Sequence, residues 1–369
     1  MARRKKYCNQ PSLQFECGSC LYILTDRCKG PTDFSIYAKQ GLGIVPCVDT
    51  LKRQELFDDL YSQMTPRAKK SYQDRIMLPP FIPQVKDGLK GVPDFSFPKL
   101  FAISLGYFLK VKHLPIAKLR ERLKLPSSAQ LALIGTADDY VIERMWAKSE
   151  SMKIWDQIAE FGFAFVTTTT FSVYDEDTRA TQIFSQDRNF MTYDILANLG
   201  VPTIPFFFPY NEEDYEAAFR WLRERPDINK IAVHAQLRKT DRQFAQFLES
   251  MRIIKCEVAR PLEFLVVGVA RQDRIQTIFR EFNASIVSGQ PIQKAIVGYM
   301  TDDDLSHPND DRRWALTPAK LAGNNIRKFV QRCEEFKSHI GNETSRGLTK
   351  TSRLSFPINQ RILELYSQP

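Results

Sequence analysis

The sequence lacks the signals of a membrane-spanning or exported protein. None of its apolar stretches reaches the roughly 18 uninterrupted residues that a membrane-spanning helix needs. The opening letters MARRKKYCNQ are basic, but no apolar segment follows them, which argues against a secretory signal peptide. We therefore expect a soluble cytoplasmic protein that has no membrane partner.

The sequence also lacks the glycine-rich loops of two large classes of nucleotide-binding enzymes. Neither GxGxxG, which binds dinucleotides, nor GxxxxGK[S/T], which binds the phosphates of ATP, occurs in it. A CxxxCxxC run, which is typical of radical-SAM enzymes, is absent as well. The sequence therefore gives no support for a nicotinamide-dependent, P-loop or radical-SAM enzyme.

The composition is that of a folded protein with a positive charge excess. Hydrophobic residues make up 43% and aromatic residues 12% of the 369 residues, which suffices for a large core. The length suits one barrel domain with an appendage. The formal net charge of +9 favours a polyanionic partner, so we expect contact with DNA, RNA or a nucleotide.

The cysteines predict a metal site near the amino terminus. Five of the seven lie in the first fifth of the chain, namely Cys8, Cys17, Cys20, Cys28 and Cys47. The two-residue gap in CGSC lets two thiolates meet one metal, and clustered cysteines of a reducing compartment favour metal binding. We predict structural zinc on Cys8, Cys17, Cys20 and Cys28, with Cys47 as a substitute ligand. An iron–sulfur cluster and a group of reduced buried thiols are the alternatives.

From about residue 100, short apolar runs alternate with amphipathic helical patterns. The runs are LFAISLGYFL, LALIGTA, FAFVTTTTF, VPTIPFFF, KIAVHAQL, FLVVGVA, ASIVSGQP and AIVGYM. Strands that alternate with helices pair in parallel through helical crossovers. We therefore predict an α/β fold, specifically a (β/α)8-type (TIM-like) barrel that is regular or irregular. A doubly wound open sheet is the alternative.

The same pattern divides the chain into four segments. Residues 1–50 form the cysteine-rich module, and residues 51–100 are predicted as a helical and proline-rich connector. Residues 100–305 hold the barrel core. Residues 306–369 hold a carboxyl-terminal helix and a basic tail.

Two adjacent carboxylates in LIGTADDYVIERMW follow a predicted strand and precede a predicted helix. Functional groups of a (β/α)8 barrel lie at the carboxyl ends of strands. An aspartate that caps the helix is the structural alternative, since helix starts favour negative charge. Because a cap needs only one aspartate, we predict that Asp138 faces a catalytic pocket and that Asp139 caps the helix.

Other polar residues near strand ends and helix starts complete the predicted site. His234 follows a strand and is the third catalytic candidate, although a lone histidine is also common as a structural residue. An arginine near a helix start opposes the helix dipole, which suggests another purpose for Arg188. The predicted substrate-binding residues are Arg144, Tyr174, Gln182, Arg188, Asn189 and Gln236.

Three stretches resemble a family of proteins from phages, plasmids and other mobile elements. They are TADDYVIERMW, FSVYDEDTRATQIFSQDRN and LANLGVPTIPFF, and the resemblance covers about residues 130–270. The matching residues are Asp138, Asp139, Tyr140, Glu143, Arg144, Trp146, Phe171, Ser172, Tyr174, Gln182, Arg188, Asn189 and Pro205. Many relatives carry an aspartate or asparagine where this chain has Thr170, which weakens a mechanism with a third carboxylate there. The resemblance implies the domain and the site positions more than a reaction.

A weaker similarity is to the tRNA-guanine transglycosylase superfamily and its DNA-acting branch. That similarity implies a barrel, carboxylates at strand ends and a cysteine-bound zinc. The cysteines of this chain differ in place, because they cluster at the amino terminus. Similarity of fold alone says little about function.

Three functions are compatible with these features. The first is an enzyme that acts on nucleic acid or a nucleotide by base exchange or glycosidic cleavage, or as a metal-dependent nuclease. In it, an aspartate serves as nucleophile or general base while Arg144 or Arg188 holds phosphate. The second is a non-catalytic DNA- or RNA-binding component of a mobile-element or anti-phage assembly. The third is a scaffold for protein partners in a multi-component system.

Overall fold

The computed structural model describes residues 67–87, 98–173, 179–209, 212–236, 238–306 and 316–344. The predicted cysteine-rich module of residues 1–50 lies outside the described residues. The basic tail that follows residue 344 lies outside them as well.

The described residues include eight short strands that pair in parallel. The strands are β1 Phe81–Pro83, β2 Leu100–Ser104, β3 Gln130–Ile134, β4 Val166–Thr167, β5 Thr203–Ile204, β6 Lys230–His234, β7 Glu263–Val267 and β8 Ala284–Ser288. They form two four-stranded sheets, with the orders β1–β8–β7–β6 and β2–β3–β4–β5. The prediction of an α/β fold with parallel strands is therefore confirmed.

Two isolated bridges connect the edges of these sheets. Gln84 bridges Ala102 beside β1 and β2, and Phe206 bridges Ala232 beside β5 and β6, both in parallel. The Val85 N–H donates to the Ala102 carbonyl at 2.8 Å, and the Phe207 N–H donates to the Ala232 carbonyl at 2.8 Å. Strands of different sheets thus contact each other at both edges.

Each strand from β2 to β8 is followed by at least one helix. The helices of the described residues are α1 Leu105–Val111, α2 Ile116–Leu123, α3 Asp139–Lys148, α4 Ile154–Glu160, α5 Arg179–Asn198, α6 Glu212–Arg223, α7 Asp241–Val258, α8 Gln272–Glu281, α9 Gln290–Ile296 and α10 Pro318–Thr344. None of them is long and apolar enough to cross a membrane. The strand–helix alternation predicted from the sequence is present.

The buried apolar side chains form two clusters. The larger cluster lies between strands and helices and includes Phe101, Leu133, Phe264 and Ile286. The smaller cluster is built from Ile76, from the strands and from their immediate flanks. Its members are Ile76, Ile82, Leu100, Ala102, Ala132, Ile134, Phe165, Ile204, Phe206, Ala232, Leu265, Val267 and Val287. Because successive side chains of a strand point to opposite faces, β1, β2, β3, β6, β7 and β8 each supply both clusters. We call the smaller one the inner cluster.

Three local assignments differ from the sequence predictions. Strand β1 lies inside the predicted connector of residues 51–100, so strand pairing begins before residue 100. The end of LFAISLGYFL belongs to α1, because the Ser104 side chain accepts a hydrogen bond from the Tyr107 N–H and starts a helix there. The run AIVGYM belongs to the end of α9 and the turn after it, and Pro291 lies in the first turn of that helix. The division into domains stays a prediction.

A single glutamine connects the amino-terminal ends of β5 and β6. Gln73 begins a short 3-10 helix, Gln73–Arg75, and is fully buried. Its Nε2 donates to the carbonyls of Thr203 at 3.0 Å and Lys230 at 2.9 Å. Its Oε1 accepts from the N–H groups of Asn229 at 2.9 Å and Lys230 at 2.7 Å. One side chain thus supplies the hydrogen bonds that a neighbouring strand would otherwise provide.

Candidate active site at the carboxyl ends of the strands

The aspartate pair follows β3 and lies at the start of α3, as predicted, but the two residues have other positions there than expected. Asp138 is the residue that precedes the helix, with φ −64° and ψ 141°, and its side chain makes no capping hydrogen bond. Asp138 is exposed. Asp139 lies in the first turn of α3 and accepts a hydrogen bond from the Ser172 hydroxyl at 2.6 Å. The prediction that Asp139 occupies the capping position is therefore wrong.

The ends of β3 and β4 approach each other too closely for a side chain on Gly135. A Cβ atom at Gly135 would lie 2.0 Å from the Thr168 carbonyl oxygen. The Gly135 N–H donates to the Thr167 hydroxyl at 2.7 Å, and its carbonyl accepts from the Thr170 N–H at 3.0 Å. Glycine at this position therefore allows β3, and the aspartates that follow it, to lie against the four threonines after Val166.

Asn189 belongs to a buried network that connects β4 and β5. The Thr168 hydroxyl donates to its side-chain oxygen, and its Nδ2 donates to the Phe206 carbonyl at 2.6 Å. The Phe206 N–H donates in turn to the Thr168 hydroxyl at 2.8 Å. Asn189 is 2% exposed, so its side chain is already engaged within the fold and does not present itself to a substrate.

Arg188 is also engaged within the fold. Its two terminal nitrogens bind Glu143 at 2.6 and 2.9 Å, and its guanidinium lies 4.0 Å from the Phe171 ring centre and 4.5 Å from that of Phe184. The side chain is 1% exposed. Helix α5 begins at Arg179, so Arg188 is in the middle of the helix and the argument from the helix dipole was wrong. This geometry does not support a role in phosphate binding.

His234 is the last residue of β6 and has the environment of a neutral histidine. Ala232 belongs to the inner cluster, so alternation places His234 on the same face, and its ring centre lies 6.4 Å from that of Phe206. Burial lowers the pKa of His234 to about 4; the positive charge of Arg238 adds to this effect, while a hydrogen bond with Gln236 opposes it. At neutral pH the imidazole is therefore uncharged and can accept a proton or a hydrogen bond.

The remaining predicted residues have different exposures. Gln236 is exposed and lies against Gly268, where a Cβ atom would come within 2.6 Å of the Gln236 Cβ. Arg144 is exposed on α3, whereas Gln182 is buried on α5. Tyr174 lies outside the described residues.

The predicted metal ligands are not part of the described structure. Cys8, Cys17, Cys20 and Cys28 lie outside the described residues, so structural zinc stays a prediction. Within the described ranges, no group of three or more His, Cys, Asp or Glu side chains is arranged to hold a metal ion.

Tyr140 was named from the sequence only as part of the family motif, and the exposure of its ring was not predicted. Tyr140 is 65% exposed in the first turn of α3. Arg144 follows it by four residues, so both lie on one face of the helix. The helical period of VIERMW contained this signal, because Ile142, Met145 and Trp146 mark the buried face and leave Tyr140 opposite it.

No protein-family model matches the chain, and no curated protein matches it.

Proposed function

We propose that the eight strands close into a (β/α)8-type barrel. The two bridges between the sheets support this topology, because they complete the pairings β1–β2 and β5–β6. The inner cluster supports it as well, since all eight strands or their flanks supply it. In such a barrel the carboxyl ends of the strands surround the functional site.

The function that this site supports best is an enzyme of nucleic acid or nucleotide substrates that breaks or exchanges a glycosidic bond. The observation that carries it is that α3 and the residue before it present three exposed side chains. Asp138 supplies a carboxylate, Tyr140 an aromatic ring and Arg144 a guanidinium. A nucleotide has a reacting sugar, a base that stacks on aromatic rings and a phosphate that binds arginine.

The roles of these groups follow from their chemistry. Asp138 acts as the nucleophile at the sugar carbon or as the base that activates another nucleophile, and the departing base leaves with the bonding electron pair. Side chains of a helix tilt toward its amino terminus, so Tyr140 projects toward the end where Asp138 lies. His234 contributes an uncharged hydrogen-bonding group. Asp139, held by Ser172, is the second carboxylate, and paired carboxylates can divide the acid and base roles.

A non-catalytic nucleic-acid-binding protein is the second candidate. The net charge of +9 supports binding of a polyanion without any reaction. The engagement of Arg188 and Asn189 within the fold also leaves fewer groups for catalysis.

Release of free base from DNA, RNA and nucleotides tests the enzyme proposal. We expect the wild-type protein to release base and Asp138→Asn to release none, with an unchanged melting temperature. Asp156→Asn is the matched control, because Asp156 is an exposed aspartate in the first turn of another helix, α4. Absence of base release with all three substrate classes would contradict the enzyme proposal.

The salt dependence of binding tests the contact with phosphate. Arg144→Gln should lower the slope of log affinity against log salt by about one unit. Arg280→Gln, at an exposed position of α8, is the control for the loss of charge. Binding with this slope but without base release would favour the second candidate, and absence of binding would contradict both.

A further inference from the structure

A basic segment, residues 67–77, lies at the opposite edge of the sheet from the proposed reaction. Gln73 places the segment at the amino-terminal ends of β5 and β6. Asp138 instead follows the carboxyl end of β3, which belongs to the same parallel sheet as β5. The five residues of β3 span roughly 17 Å, so a mononucleotide bound at Asp138 is too short to contact the segment as well. Any function of the segment is therefore separate from that of Asp138.

The basic segment has an excess of positive charge at the surface. It contains four basic residues and one aspartate. Arg67 forms an ion pair with Glu224 at 3.3 Å. Lys69, Lys70 and Arg75 are exposed, and none of the carboxylates in the described part of the chain forms an ion pair with them. Three cations without a described counter-charge on one short segment create a positive surface potential, which attracts anions.

The ring of Tyr72 holds two of these cations near each other. The Lys70 Nζ lies 5.2 Å from the ring centre, and the Arg75 Cζ lies 4.7 Å from it. The two charges are therefore at most about 10 Å apart. Contacts between a cation and an aromatic ring restrict the long side chains that make them. An anion that binds to both cations relieves their mutual repulsion.

The backbone on both sides of Tyr72 is fixed by buried or long-range contacts. The Ser71 N–H donates to the Asp227 carboxylate at 2.8 Å, and the Ala68 N–H donates to the Asp194 carboxylate at 2.9 Å. Tyr72 itself has a φ of 54° and a ψ of 16°, a left-handed conformation that bulky residues rarely adopt. A backbone that is fixed before binding loses little conformational entropy when a ligand binds.

We propose that the basic segment binds the phosphodiester backbone of a polynucleotide. Lys69, Lys70 and Arg75 contact the phosphates, and Tyr72 is the positioning residue for two of these cations. A chain of regularly spaced phosphates matches several separate cations, and such contacts do not depend on the base sequence. An anionic membrane is a poorer fit, because Met77 is the only large apolar side chain that the segment exposes and membrane binding needs an apolar face.

The salt dependence of binding to a labelled single strand of about 20 nucleotides tests the proposal. Fluorescence anisotropy of the full chain is measured with DNA and with RNA. The double variant Lys70→Gln, Arg75→Gln should lower the slope of log affinity against log salt by about 1.4 units for either strand, since each phosphate contact contributes about 0.7. The double variant Arg280→Gln, Lys320→Gln is the matched control, because it removes the same charges at exposed positions of α8 and α10. An equal loss of slope in both double variants would overturn the proposal, since only the net charge would then matter.

Replacement of Tyr72 tests its role as a positioning residue. Tyr72→Leu removes the ring but no charge, so it should weaken binding about threefold and leave the salt slope unchanged. Tyr72→Phe keeps the ring and should bind as the wild type does. Thermal melting of both variants shows whether the fold is intact. Equal binding by Tyr72→Leu and the wild type would contradict the positioning role.

Lysine acetylation of the wild-type protein tests the same contact without any substitution. A single strand of DNA should protect Lys69 and Lys70 from acetylation and leave the exposed Lys320 reactive, as mass spectrometry measures. Protection by phosphatidylserine vesicles but not by DNA would identify a membrane surface and overturn the proposal, and so would absence of protection by either. Asp138→Asn should keep the protection by DNA, so this contact and the release of base fail or succeed separately.

Discussion

The two sheets achieve the same parallel pairing by different means. In the sheet β1–β8–β7–β6, the strands β6, β7 and β8 each have five residues, and β6 pairs with β7 over five positions. In the sheet β2–β3–β4–β5, the strands β4 and β5 have two residues each, and β3 meets β4 at one position. Side chains of Thr167, Thr168 and Asn189 connect the strands there. Backbone pairing dominates one sheet, and side-chain networks complete the other.

The helix starts show the same contrast. Helix α7, which follows β6, begins with a capping box in which Thr240 accepts from the Gln243 N–H and the Gln243 side chain accepts from the Thr240 N–H. Helix α3, which follows β3, begins at Asp139, and the side chain of the preceding Asp138 makes no capping bond. An exposed polar side chain near a strand end that makes no capping hydrogen bond is a candidate for a functional role.

The largest effect that we expect is that of Arg188. Arg188→Met leaves Glu143 without its partner and removes both ring contacts, so we expect a loss of about 3–4 kcal/mol in the free energy of unfolding. Glu143 is 23% exposed and regains some hydration, which keeps the cost moderate. Urea denaturation measures this loss. A variant of unchanged stability with weaker polyanion binding would restore Arg188 as a ligand-binding residue.

Asn189 and Asn325 are two buried asparagines in different regions, and replacing each of them compares how much those regions depend on side-chain hydrogen bonds. Asn325 on α10 is fully buried; it accepts from the Thr301 N–H and donates to the carbonyls of Pro291 and Tyr299. Each change to alanine should cost roughly 2–3 kcal/mol, because buried partners remain unsatisfied. Hydrogen exchange should accelerate at the Phe206 amide in Asn189→Ala and at the Thr301 amide in Asn325→Ala. A mild Asn189→Ala, below about 1 kcal/mol, would mean that the short strands do not need the side-chain network.

His234 should make stability depend on pH. Its pKa is about 4 in the folded chain against 6.5 ordinarily, so the unfolded chain binds the extra proton between these values. Stability is therefore complete above pH 6.5 and falls as the pH decreases toward 4, by about 1–3 kcal/mol. His234→Gln should lack this part of the dependence. Urea denaturation of both proteins between pH 4 and 7 gives the difference, and parallel curves would contradict the assignment.

The smallest effects compare the two helix starts. Thr240→Ala should cost about 1 kcal/mol, because it removes a capping hydrogen bond. Asp138→Ala should cost less than about 0.5 kcal/mol, because no such bond exists there. Thermal melting of both variants measures the contrast. If Asp138→Ala is as costly as Thr240→Ala, Asp138 is a structural cap and the enzyme proposal loses its main support.

The alternation of strands and helices was predictable, because it depends on local periodicity in the sequence. Helices α5 to α8 lie between the apolar runs, where the alternation predicted helices. Strand β1 was missed, because it has only three residues and the last of them is Pro83, a residue type that is rare within strands. The first strand of the sheet order thus became visible only through its pairing with β8.

The strand-end position of the aspartates was also predictable, but the engagement of their neighbours was not. Arg188 meets Glu143 across 45 positions, and Asn189 meets Thr168 across 21. Partners at such separations are determined by how α5 packs against α3 and the strands, which local patterns do not contain. Arg188 and Asn189, which were predicted as substrate-binding residues, therefore make buried contacts in the structure.

Gln73 has a consequence for the order of folding. Its side chain joins positions that are 130 and 157 residues away along the chain, so the complete set of its four hydrogen bonds exists only after β5 and β6 have come together. Contacts of such long sequence separation carry a high cost in loop closure and tend to form late. Interactions that are absent from the folding transition state act mainly on the unfolding rate. Gln73 therefore slows unfolding more than it accelerates folding, so its contribution is mainly to kinetic stability.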